Sequence, residues 1–139
     1  MNIDKIVSIS GKPGLYQVIS QNKNAVIVES LQDKKRLPIN SLQSISALSD
    51  IAIYTYDEEI PLRVVLLNIN KRENGELTID PKSDKKQLQS FFSEVLPNYD
   101  EERVYPSNIK KIALWYNTLV EAGFDFSSLE EEEEVEEEN

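Results

Sequence analysis

The amino-acid sequence predicts an α+β protein: a small SH3-like or Tudor-like β-barrel followed by a three-helix unit. Three observations point there. From Gly11 to Thr55 the chain is written in short β-rich runs broken by turn residues. From residue 57 the apolar residues recur at helical spacing. Beyond Phe126 the composition collapses into Ser-Ser-Leu and then glutamate, which has nothing to bury. The expected organisation is therefore a barrel over 1–56, a helical domain over 57–127 and an acidic disordered tail over 128–139.

In the first part, Gly11-Lys12-Pro13-Gly14 is a turn signal that delivers the chain into a strand at Leu15–Ser20. Asn22-Lys23-Asn24 then turns it into Ala25–Ser30, and Gln32-Asp33-Lys34 leads to Arg36–Ile39. Pro38 has no N–H to give a ladder, so its strand belongs at an edge or its position at a bulge. Leu42, Ile45 and Leu48 recur every third residue, as one 3₁₀ or α turn places them, before a final strand at Ile51–Thr55. Two of the strands are apolar on both faces: Tyr16 and Val18 oppose Leu15 and Ile19, and Val26 and Val28 oppose Ala25 and Ile27. A lone barrel leaves one such face wet, so the helical half, or a second subunit, is expected to cover part of it.

In the second part, Pro61 suits a helix start, and Leu62, Val65, Leu66 and Ile69 form a stripe that ends at Asn74-Gly75. Ser83 is the expected cap of a second helix, whose Leu88, Phe91, Phe92, Val95 and Leu96 share one face until Pro97. Ser107 is the expected cap of a third, running through Ile109, Ile112, Tyr116, Leu119 and Val120 to Gly123 at the position after the C-cap.

Composition narrows the function. The formal charge is -10, but the ten residues from 130 hold eight glutamates, so the rest carries only -2. With no His and no Cys, the commonest general base, the best nucleophile, disulfides and zinc–cysteine sites are missing. Four glycines form no phosphate-cradling motif. No apolar run approaches the ~20 residues of a membrane-spanning helix. Met1-Asn2-Ile3-Asp4-Lys5 leads into no apolar export signal, so a cytoplasmic location is expected.

What remains is carboxylate chemistry or binding. Tyr-Asp-Glu-Glu occurs at 56–59 and again at 99–102, and paired carboxylates can act as acid and base or hold a hard cation. The plainer reading places each copy ahead of a helix, where the dipole favours acids. Lys85-Lys86 and Lys110-Lys111 follow the two serine caps, in first turns where positive charge is disfavoured unless an anion binds there. Lys34-Lys35-Arg36 adds a third basic spot, and together they can follow a phosphate backbone or be three unrelated solvated patches. Tyr54 and Tyr56 share a face if their strand continues, as half of an aromatic cage or as cover for the barrel–helix junction. Trp115 lies off the Ile112–Tyr116 stripe, as a second core contact or a partner hot spot.

The stretches Ile9–Tyr16, Asp50–Tyr56, Val104–Ser107, Ile109-Lys110-Lys111 and Trp115-Tyr116-Asn117 give the chain a likeness to a family. It resembles an uncharacterised family of short Bacteroidetes proteins with an SH3-like N-terminal domain, a helical C-terminal domain and an acidic tail. The resemblance implies that fold and carries no activity or functional residues. The expected function is a non-enzymatic binding or adaptor module for protein or nucleic acid, without cofactor or metal. The alternatives are a carboxylate-dependent hydrolase or metal protein using Asp57, Glu58, Asp100 and Glu101, and a structural subunit of a homo-oligomer.

Overall fold

A computed structural model of the chain describes residues 1–40 and 44–130. Strands β1 (Ile6–Ile9), β2 (Lys12–Gln21), β3 (Val26–Ser30), β4 (Arg36–Ile39) and β5 (Ile45–Ala47) build an antiparallel sheet in the order β4-β3-β2-β1-β5. The β2–β4 meander lies close to where the turn residues place it, except that β2 begins at Lys12, inside the expected Gly11–Gly14 turn, which contracts to Ser10-Gly11. Asn22 makes the first turn by accepting from the N–H groups of Asn24 and Ala25, both at 2.9 Å. β4, which carries Pro38, is an edge strand as its missing N–H requires. β1 and β5 lie outside the expected set: Ile45 belongs to β5 and Leu48 to a 3₁₀ turn, while Leu42 lies outside the described residues.

Among the described residues this sheet is open, with β4 paired only to β3 and β5 only to β1, so the expected closure into a barrel is not found. The strand expected to complete it also lies elsewhere. β6 (Ala52–Tyr54) pairs with β7 (Glu59–Pro61) in a separate two-stranded sheet, and that hairpin straddles residues 56 and 57. Among the described residues three complete helices follow, α1 (Leu62–Arg72), α2 (Lys85–Val95) and α3 (Pro106–Glu121), and residues 127–130, expected mostly in the disordered tail, are helical as well. The α+β class and the expected helix stripes hold: Leu62, Val65, Leu66, Ile69, Phe92, Ile109, Tyr116 and Leu119 are fully buried. Gly123, at φ 78°, ends α3 in the left-handed conformation a residue after the C-cap needs.

Both helix caps differ from expectation. α2 is capped by Asp84, which accepts from Gln87 N at 2.8 Å while the Gln87 side chain accepts from Asp84 N at 3.2 Å. A carboxylate at that position also answers the helix dipole, which the preceding Ser83 cannot do. α3 begins at Pro106, whose fixed φ suits a first helical residue, and Asn108 accepts from Tyr105 N at 2.8 Å.

Alternation along β1 and β2 divides the core in two. Val7 and Ile9 join Val26, Val28 and Ile39 on one face of the sheet. Ile6 and Leu15 point to the other face and join the helices in a single larger cluster, so the helical half does cover part of the sheet. Ile19, farther along β2, stays 39% exposed. Leu129, expected in the acidic tail, is buried in the larger cluster, and Glu130 pairs with Lys71 at 3.4 Å, so packing runs past residue 127.

Candidate functional site

α3 presents two faces. Ile109, Ile112, Ala113, Tyr116 and Leu119 are buried, while Asn108, Lys111 and Trp115, spaced by three and four residues, form a ridge on another side. Trp115 is half-buried and packs against the larger core cluster. Where α3 meets Ile6 and Leu15 the bulky apolar side chains fill the gap. Toward the β1–β2 turn the same sheet face carries serines: Ser8 and Ser10 follow Ile6 by alternation, Ser46 lies opposite Ser8, and Ser10 N donates to Ser44 O at 2.8 Å. Serines are too small to reach α3. A cleft of about 590 Å³ remains, with the serines on one side and Lys111, Leu114 and Trp115 on the other.

The Gly11–Gly14 segment forms the cleft's rim, and the ladder explains its shape. The β1–β2 register shifts between Val7 and Ile9, so that Pro13, Gly14 and Leu15 oppose the single residue Ser8. Gly14 sits in this bulge at φ 84°, and a β-carbon there would stand 3.1 Å from Gln32 Oε1. Lys12 is thereby held exposed beside the opening.

Lys111 and Trp115 also line a second cavity of about 180 Å³, with Ile51–Tyr54 of the β6 side and Arg103, Val104 and Asn108 of the α3 side. The Arg103 guanidinium lies 5.1 Å from the centre of the Tyr54 ring, a cation–π distance, and its Nε stands 3.4 Å from Asp100 Oδ2. Together the two linings contain Lys12, Arg103 and Lys111 and no Asp or Glu, on a chain with 25 acids and 15 bases. Basic and no acidic side chains thus line the two cavities at Trp115, with Arg103 held by Asp100 just outside the lining.

Of the residues singled out in the sequence, the structure brings Tyr54, Lys111 and Trp115 together here. Lys110 is exposed on the next position of α3. Both lysines lie in the second turn of α3, not the first, because the helix starts at Pro106. Tyr56 does not continue the strand face of Tyr54. It is 60% exposed, and its hydroxyl accepts from Glu101 N at 3.3 Å. Lys85 and Lys86 do lie in a first turn, but the Asp84 carboxylate already stands at that helix end and accepts from Gln87 N. In the β3–β4 turn Lys34 and Lys35 are exposed, whereas Arg36 is paired across the ladder with Glu29 at 2.9 Å. None of these five basic residues lines either cavity.

The two Tyr-Asp-Glu-Glu copies are neighbours in space, and neither begins a helix. The first forms the β6–β7 turn and the second a turn after α2, joined by the Thr55–Tyr99 bridge and by Asp100 N donating to Tyr54 O at 3.0 Å. Their carboxylates serve the turns. Asp57 accepts from the Asn98 side chain, and Asp100 accepts from Glu102 N at 3.0 Å besides facing Arg103. Among the described residues no group of three or more Asp or Glu is placed to hold a metal ion, and no helix is long and apolar enough to cross a membrane. Sequence reasoning missed Lys12, Arg103 and the serines. Only the bulge-forming Lys12-Pro13-Gly14 carried a signal.

Among the described residues the fold and cleft define a small α+β protein with an open antiparallel sheet, a separate hairpin and helices α1–α3, with two adjoining cavities at Trp115. Residues 3–48 match the Domain of unknown function (DUF5606), and residues 51–119 match the Domain of unknown function (DUF6852). A solution NMR structure from Bacteroides vulgatus is similar, with 46% identity over 90% of this chain and 91% of that one and a TM-score of 0.74. The chain belongs to this Bacteroidetes family of proteins of unknown function. No curated protein matches it.

Proposed function

We propose that the protein is a non-enzymatic binding module whose partner sits in the cleft between the β1–β5 edge of the sheet and α3. The observation that carries this reading is the pair of cavities sharing Lys111 and Trp115, which place a half-buried aromatic ring among three cations. A ring held by the core and flanked by charge is the kind of anchor that dominates binding energy. The absence of His, Cys, Asp and Glu from both linings favours recognition over acid–base chemistry. The strand order β4-β3-β2-β1-β5 supports reading the first part as an SH3-like unit left open at one side.

The test is affinity capture from the native cell with the wild-type chain and with the Lys111→Glu/Trp115→Ala variant. Molecules recovered by the wild type and lost from the variant support the reading. Identical recoveries from both contradict it.

A further inference from the structure

Resting on that binding reading, we infer that the ligand of the cleft is single-stranded nucleic acid, with a base stacked at Trp115 and phosphates on either side of it. The geometry supplies both halves of such recognition. Lys12 stands by the larger cavity, Arg103 by the smaller, and Lys111 lies on the ridge between them. Basic residues in each of the two cavities that share Trp115 match a strand in which every base is flanked by phosphodiesters. An acidic peptide supplies the charge without a planar group for the ring, and a free nucleotide reaches only one side. The serine floor adds hydroxyls able to bond phosphate or sugar oxygens. Duplex fits the site less well, because a base stacked inside a helix cannot offer its face to Trp115.

The chain has one tryptophan, so its fluorescence reports on the site directly. The full chain is titrated at low salt with ten-nucleotide oligouridylate and oligothymidylate, and in parallel with uridine monophosphate and polyglutamate. The expected result is saturable quenching by the oligonucleotides. Their affinity should fall with salt with a log–log slope of about -1.4, as for roughly two phosphates neutralised by Lys12 and Lys111, Arg103 being already paired with Asp100. Lys12→Ala and Lys111→Ala, both at exposed positions, should each weaken binding several-fold and reduce that slope by about 0.7. Lys23→Ala, in the β2–β3 turn, should change neither.

No response to either oligonucleotide overturns the inference. So does uridine monophosphate binding as tightly as the ten-mers, or polyglutamate quenching equally well. If the oligonucleotides fail while cellular capture still depends on Lys111 and Trp115, nucleic acid is removed and the binding reading stands. If both fail, both are removed.

Discussion

Tyr116 and Tyr99 belong to the same core cluster and have opposite hydrogen-bonding fates. The Tyr116 hydroxyl donates to Glu76 O at 2.7 Å and accepts from Asn70 Nδ2 at 3.5 Å, which ties the loop after α1 to α3. The Tyr99 hydroxyl is buried with no hydrogen-bond partner; Ser93 lies close enough to influence the phenol, but burial outweighs it. Tyr116→Phe should therefore destabilise the fold by about 1 kcal/mol, whereas Tyr99→Phe should be neutral or stabilising, read as urea midpoints. Burial, first among the causes, pushes both phenols above the ordinary tyrosine range. The folded state then holds these protons more tightly than the unfolded one. Their contribution is complete below the unfolded pKa of about 10 and is lost as pH rises above it. The urea midpoint should fall through that window, and less steeply in Tyr116→Phe. A midpoint that stays level there contradicts the burial of these groups.

At the scale of the element, the helices were legible because the 3.6-residue period survives wherever one face is buried. Their first residues were not. Ser83 and Ser107 are good caps in isolation, but Asp84 completes a reciprocal box with Gln87, and Pro106 can begin a helix one residue before Ser107. Asp84→Ala should cost about 1 kcal/mol, whereas Ser83→Ala should cost little, in thermal or urea unfolding. Gly123→Ala should likewise cost about 1 kcal/mol, because a β-carbon is strained at φ 78°. The strands were less legible. β1 and β5 have four and three residues, too few for alternation to stand out, and the spacing of Ile45 and Leu48 reads equally as a helical turn. Ile51–Thr55 read correctly as β-structure, but a strand's partner is set at long range. β7, reached through the Thr55–Glu58 turn, pairs with it ahead of the larger sheet.

Over the whole molecule, one apolar cluster runs from Ile6 and Leu15 of the sheet through Leu66 of α1 to Tyr116 of α3, so sheet and helices share their stability. Leu66→Ala, at a fully buried position, should cost roughly 2–5 kcal/mol and shift the loss of sheet and helix signals together. Separate transitions for the two halves would contradict a shared core. The cleft was only half legible. Lys111 and Trp115 stand out in the sequence, but a cavity arises from what Ser8, Ser10 and Ser46 fail to fill, and the Arg103–Tyr54 contact joins residues distant in the chain. The most direct measurement is amide chemical-shift mapping of the full ¹⁵N-labelled chain during titration with oligouridylate. The expected result is that shifts concentrate at Ser8–Gly14, Ser44–Ser46, Arg103 and Asn108–Trp115, with the Trp115 indole N–H among the largest. Shifts centred on Lys34–Arg36 or Lys85-Lys86, or none at all, would contradict a function housed in this cleft.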